Sequence, residues 1–248
     1  EFGLGFGKLF AGSFDLDDDG MTDFALPAPY LAGAFIFSGH QIVRGQDVVA
    51  ETSQWTYETY FPLGGSDLVV GAVEEIGRTG LVASSPGSDV PSGLFETLQV
   101  VDDAPSAGRF GPDWWFFSEE GEDVFGQSMD ARDADGDGFL DVLVGAPRAA
   151  GDCGAAFLFY PPFGRDLNSA DDFYSEGSAQ RGIKFSGPCN GADSDDAFGA
   201  TVAMLAEGGE HGAVAIGSPQ STGGDEYSGA VTVWRIDEAD ADTVESMG

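Results

Sequence analysis

Residues 125–160 read FGQSMDARDADGDGFLDVLVGAPRAAGDCGAAFLFY. At the centre, Asp133, Asp135, Asp137, Gly138 and Asp141 form the pattern D-x-D-x-D-G-x-x-D. Alternate residues of a tight loop direct their side chains at one centre, so this spacing supplies hard oxygen ligands for a calcium-sized ion. Gly138 permits the sharp turn that returns Asp141 to the others, and the carbonyl of Phe139 offers a backbone ligand. The alternative is a solvated acidic turn. An EF-hand is excluded, because no Glu stands at the twelfth loop position and the flanks read as strands rather than helices.

Working outward, Phe125-Gly126 opens the unit, Val144-Gly145-Ala146-Pro147 follows the acidic loop, and residues 154–160, GAAFLFY, close it. The same order recurs along the chain, and internal repeats govern the fold. Residues 6–38 carry Phe6-Gly7, then Asp15, Asp17, Asp19, Gly20 and Asp23 at the same spacing, with Met21 in the place of Phe139. Pro27-Ala28-Pro29 and the strand-like stretch 33–37, GAFIF, complete that unit. A degenerate copy holds residues 67–73, DLVVGAV, without an Phe-Gly opening or an acidic loop, and 94–101, LFETLQVV, reads as its outer strand. A fourth copy runs from Phe198-Gly199 through 213–219, AVAIGSP, to 229–234, GAVTVW. Its loop retains only Glu207 and Glu210 beside His211, so no tight ion site is expected there.

This ordered set resembles the FG-GAP repeat of integrin α-subunit β-propellers and their bacterial relatives. The resemblance implies an all-β fold of β-propeller-type blades of antiparallel strands. It covers one domain over residues 1–248, in units of roughly 1–45, 46–105, 118–185 and 193–240. It also implies two Ca2+ sites. One uses Asp15, Asp17, Asp19, Met21 and Asp23; the other uses Asp133, Asp135, Asp137, Phe139 and Asp141. Apolar-polar alternation over short runs, as in residues 230–236, AVTVWRI, agrees with strands. An open ring exposes apolar faces and strand edges. Four units therefore imply a small closed ring, part of a larger ring, or an arc completed by another chain. Residues 237–248 are acidic and weakly patterned, so the fourth unit is expected to lack its outer strand, with Glu1 to Gly5 as a candidate latch.

The chain has 248 residues, 42% hydrophobic and 12% aromatic, enough for a sizeable core in one domain or two small ones. Its net charge of −33 repels nucleic acid and anionic membrane surfaces, and favours cations, basic partners or neutral glycans. No apolar run reaches transmembrane length, so no membrane insertion is expected. The chain begins at Glu1 rather than Met, which suggests a processed or partial chain. Cys153 and Cys189 lack a C-x-x-C arrangement, which fits a disulfide or two buried thiols better than a metal site. Secretion would favour the disulfide.

Trp114 and Trp115 lie between the second and third units, as a ligand platform for a sugar or protein, or as strand core. Trp55, Tyr57 and Tyr60 read more simply as strand packing. His40 and His211 are the histidines, and no H-E-x-x-H, G-x-S-x-G or reactive-cysteine context accompanies them. No enzyme is therefore expected. The resemblance points to a secreted, extracellular or cell-surface scaffold for adhesion or glycan recognition. The alternatives are a structural subunit completed by copies of itself, and a domain attached to a hydrolase.

Overall fold

The computed structural model describes residues 11–14, 20–28, 33–39, 55–58, 68–72, 79–85, 97–101, 108–110, 114–117, 124–137, 141–149, 153–160, 181–187, 196–205, 212–221, 229–236 and 244–247. Their regular elements are strands, gathered into four sheets, so the chain is all-β and propeller-like.

Sheet one takes β1 (Ala11–Phe14), β2 (Asp23–Ala28), β3 (Gly33–Phe37) and β4 (Trp55–Glu58) in sequential antiparallel order. Sheet two takes β5 (Leu68–Ala72), β6 (Thr79–Ser85) and β7 (Thr97–Val101). The chain then lays β8 (Gly108–Phe110) parallel to β4 on the edge of sheet one, and β9 (Trp114–Phe117) antiparallel to β7 on the edge of sheet two. Sheet three takes β10 (Met129–Arg132), β11 (Asp141–Ala146), β12 (Ala155–Tyr160) and β13 (Arg181–Ser186). Sheet four takes β14 (Thr201–Leu205), β15 (Ala213–Ser218), β16 (Ala230–Ile236) and β17 (Val244–Met247). Successive sheets meet through their first strands: β1 lies against β5, β5 against β10, and β10 against β14. The described residues form no closed ring.

One detail departs from the sequence expectations. The fourth sheet does have an outer strand, β17, supplied by the chain's own C-terminal segment. Four residues are too few for alternation to stand out in an acidic tail, and pairing with β16 decides the matter. Glu1 to Gly5 lie outside the described residues. The stretch between units two and three forms two strands that clip the neighbouring edges of sheets one and two. Covering an edge satisfies backbone groups that would otherwise recruit other chains. Among the described residues no strand of sheet two precedes β5, which matches that unit's missing Phe-Gly opening.

The repeat motifs have a physical role. Phe125 and Phe198 each follow a residue with positive φ, Val124 at 56° and Ala197 at 51°, and precede a glycine at 86° or 93°. Each turn is closed by a hydrogen bond, from Gln127 N–H to Val124 O and from Ala200 N–H to Ala197 O. The glycine N–H then donates to the carbonyl of the glycine on the second strand: Gly126 to Gly145 O at 2.9 Å, and Gly199 to Gly217 O at 3.0 Å. Phe-Gly and Gly-Ala-Pro recur together because one is hydrogen-bonded to the other.

Phe198 also seals the seam between sheets three and four. It is fully buried and joins Leu143, Leu158, Tyr160, Ile183 and Phe185 of sheet three to Met204, Val214, Ile216 and Ile236 of sheet four. The backbones nearly touch there, with Gly154 bridging to Phe198 in a short parallel pair. Ser128 Oγ donates to Gly199 O at 3.2 Å, and Met204 N–H donates to Asp130 Oδ2 at 2.7 Å. On the other face of sheet three, Phe125, Phe157 and Phe159 pack edge-on and stacked.

Candidate metal centre

The acidic loop connects β10 to β11, so two paired strands fix its ends. Arg132 pairs with Asp141 at the last rung of that ladder. Between them the loop is tied by its own carboxylates. Asp133 Oδ1 accepts from Gly136 N–H at 2.7 Å, Asp135 Oδ1 accepts from Asp137 N–H at 3.2 Å, and Asp141 Oδ2 accepts from Ala134 N–H at 2.7 Å. Such side-chain-to-backbone bonds hold a turn in place of ladder hydrogen bonds.

Asp133, Asp135 and Asp141 each offer one carboxylate oxygen, and these oxygens all lie within 4.8 Å of one another. Asp133 is exposed, Asp135 half-buried and Asp141 fully buried, so the cluster grades from solvent to the sheet. Asp137, the fourth expected carboxylate, is not part of that close set, but its charge still acts on Asp141. Phe139 and Gly138 lie outside the described residues. The positive φ in the described part of this loop falls at Gly136, at 81°. In the first unit Gly20, which matches Gly138, has φ 84°. Gly136 in this loop and Gly20 in the first unit thus each have a backbone reason to be glycine.

Asp141 carries the electrostatic signature of the site. Burial lifts its pKa from 3.8 to about 8, and the carboxylates of Asp135, Asp137 and Asp133 push in the same direction against the Ala134 hydrogen bond. Its Oδ1 is buried and accepts no hydrogen bond. A buried carboxylate oxygen without a donor is costly, and a cation among the three aspartates would meet both demands at once. The donor set, all carboxylate oxygen, suits a hard divalent ion rather than a thiophilic one.

The first unit shows only part of its loop, because Asp15, Asp17 and Asp19 lie outside the described residues. Asp23, equivalent to Asp141, is fully buried, and its Oδ1 accepts from Gly39 N–H at 2.8 Å. Met21 is 41% exposed beside it.

The loop of unit three also leans on the next sheet. A side chain at Gly212 would come within 2.8 Å of Ala134 O, while Gly212 O accepts from Ile236 N–H. The residues that tie the loop region across the seam, Ser128 and Asp130, escape a search for ligand spacing. The signal for Ser128 is the repeated D-x-F-G-x-[ST] of residues 123–128 and 196–201, which marks Ser128 and Thr201 as equivalents; Asp130 has no such signal, since Ala203 stands at its place in the fourth unit. Trp114 and Trp115 occupy consecutive positions of β9, paired with Val100 and Gln99. Cys153 is buried, and Cys189 lies outside the described residues. Among the described residues no helix is long and apolar enough to cross a membrane.

No curated protein matches the chain. A family model does match, over residues 125–159, the same span that begins at the Phe125 turn, contains the three-aspartate cluster and ends in β12. With the Phe-Gly turn hydrogen-bonded to the Gly-Ala-Pro strand around that cluster, the chain carries an FG-GAP repeat at residues 125–159.

Proposed function

We propose that this chain is an extracellular, calcium-stabilised β-propeller-type scaffold for adhesion or for recognition of a protein or glycan, without catalytic activity. FG-GAP repeats are scaffold modules that occur in extracellular proteins. The observation that carries the reading is Asp141, whose unpartnered, buried Oδ1 lies in a group of three carboxylates. Calcium there would fix the connection between β10 and β11, and the bound ion would stabilise the folded state by mass action. The equivalent loop of unit one, with Asp15, Asp17, Asp19, Met21 and Asp23, supplies the second proposed site. Trp114 and Trp115, on the outermost strand of sheet two, are the proposed ligand platform. The abundance of acids makes nucleic acid an unsuitable partner.

Native mass spectrometry in calcium, with an EDTA control, tests the metal directly. Two ions per chain are expected; none would end the calcium reading. A pH series gives a second test. Asp141 binds its proton more tightly folded than unfolded, so in EDTA its contribution to stability falls as pH rises from about 4 to about 8. Calcium competes with that proton. The calcium-induced rise in melting temperature should therefore be larger at pH 8 than at pH 5.5, and a gain that shrinks with pH would contradict the assignment.

Secretion also bears on the cysteines. Cys153 is buried and no described cysteine is free, so the reading includes a Cys153–Cys189 disulfide. Non-reducing digestion should yield one peptide pair joining them; two thiols open to alkylation in the unfolded chain would refute it.

A further inference from the structure

The connection from β13 to β14 carries a second group of acids. Residues 193–199 read DSDDAFG, and residues 120–126, at the start of the third unit, read EGEDVFG. Both fit [DE]-x-[DE]-D-x-F-G. The first unit lacks this pattern, since Glu1, Gly3 and Leu4 stand at those places before Phe6. Acids so close in sequence ordinarily form a solvated loop, because charged side chains stay in water unless paired.

Asp196 breaks that rule. It is 3% exposed, and its Oδ2 is closed to solvent and accepts no hydrogen bond. The turn that follows imposes this position. Ala197, at φ 51°, accepts on its carbonyl from Ala200 N–H, and Gly199 N–H donates to Gly217 O. Phe198 bridges to Gly154 of sheet three. A Cβ on Gly187 would lie 2.7 Å from Phe198 Cβ, so sheet three packs tightly on the turn. A backbone held at these points does not swing the carboxylate out to water. A buried carboxylate oxygen without a donor is costly, and a cation at that oxygen removes the cost.

Asp196 stands apart from the acidic loop of residues 133–141. β10 runs from the Phe125 turn to that loop, and β11 returns from it. Gly145, Gly154 and Phe198 therefore mark one end of the sheet, and the trio Asp133, Asp135 and Asp141 marks the other.

We infer that Asp196, with Asp193 and Asp195, holds a divalent cation of calcium size at the entry to sheet four. Three carboxylates within four residues, two of them at alternate positions, offer hard oxygen donors. Asp193 and Asp195 lie outside the described residues, and their part in the site follows from their spacing. The unpartnered, buried Oδ2 of Asp196 is the feature that marks a ligand rather than a solvated acid. The ion balances a charge that the fold keeps inside, and ties the segment leaving β13 to the Phe-Gly turn that seals the seam between sheets three and four. This inference does not rest on the acidic loops of units one and three.

The test is native mass spectrometry of the full chain in calcium, comparing wild type with Asp196→Asn, Asp141→Asn and Glu245→Gln. Each substitution removes one negative charge and little volume, so net charge alone does not separate them. Asp196→Asn is expected to carry one ion fewer than wild type, with unchanged far-UV circular dichroism, and Glu245→Gln, on β17, the same number as wild type. Asp193→Asn and Asp195→Asn should each weaken the same binding step at least tenfold in a calcium titration by calorimetry, and they decide the matter if Asp196→Asn does not fold. An ion count unchanged in Asp196→Asn, an equal loss in Glu245→Gln, or binding untouched by both Asp193→Asn and Asp195→Asn would overturn the proposal. Loss of an ion in Asp141→Asn but not in Asp196→Asn sinks this inference alone. Loss in Asp196→Asn but not in Asp141→Asn sinks the loop site alone.

Discussion

Asp141→Asn is expected to lower the melting temperature in calcium by roughly 5–10 °C and to leave it unchanged or slightly raised in EDTA at pH 8. The two effects have separate origins. Asparagine can still accept the Ala134 N–H bond that Asp141 Oδ2 accepts at 2.7 Å. It cannot supply a charged ligand, so the stabilisation due to bound ion disappears. At calcium a hundredfold above its dissociation constant that term is about 2.7 kcal/mol. For a chain of this length each kcal/mol moves the midpoint by about 2–4 °C. Without calcium, wild-type Asp141 must either hold a proton or place a charge in a buried site beside Asp133, Asp135 and Asp137. Asparagine removes that conflict. Scanning calorimetry of both proteins, with and without EDTA, is the measurement. Equal losses in the two conditions would show that Asp141 is structural and that the loop binds no ion.

Gly145→Ala should be among the most damaging single-methyl changes in the third unit. A Cβ at Gly145 would lie 2.0 Å from Gly199 O and 2.7 Å from Ser128 Oγ. The first of these atoms is backbone, held by the hydrogen bond from Ser128 and by the turn around Phe198. Relief therefore requires sheets three and four to separate. Overpacking a tight core costs about 1–3 kcal/mol and occasionally more, and here loss of the Phe198 seal adds to it. We expect at least about 3 kcal/mol, or roughly 6–12 °C. Gly20→Ala is the control. It has φ 84° but open space where its Cβ would go, so only the left-handed backbone penalty of about 1–2 kcal/mol applies. Urea denaturation of the two variants separates contact from conformation. A Gly145→Ala loss no greater than that of Gly20→Ala would mean that the seam yields easily.

The same seam clarifies why a metal loop belongs in this architecture. Ala134, whose N–H is held by Asp141, lies against Gly212 of the next sheet. An ion that fixes the loop also fixes one of the surfaces on which sheet four rests. The effect of metal on stability is thus expected to exceed that of ordering one exposed turn.

What the sequence alone determines is local and periodic. Ligand spacing from Asp133 to Asp141, the strand alternation and the recurrence of Phe-Gly before Gly-Ala-Pro are set by residues within a few positions of one another, so they survive without knowledge of the fold. The degenerate second unit is legible for the same reason, as a motif with its opening missing. Tertiary structure decides the rest. That Asp137 stands apart from the close trio depends on the path of the loop between two paired strands. Gly145 must be glycine because Gly199, 54 positions on by sequence number, brings a carbonyl against it. The strands Gly108–Phe110 and Trp114–Phe117 belong to two different sheets because those edges needed partners. Val231 and Ala156 occupy equivalent positions in their repeats, yet one is exposed and the other buried. Periodicity makes them alike, and only the presence or absence of a neighbouring sheet distinguishes them.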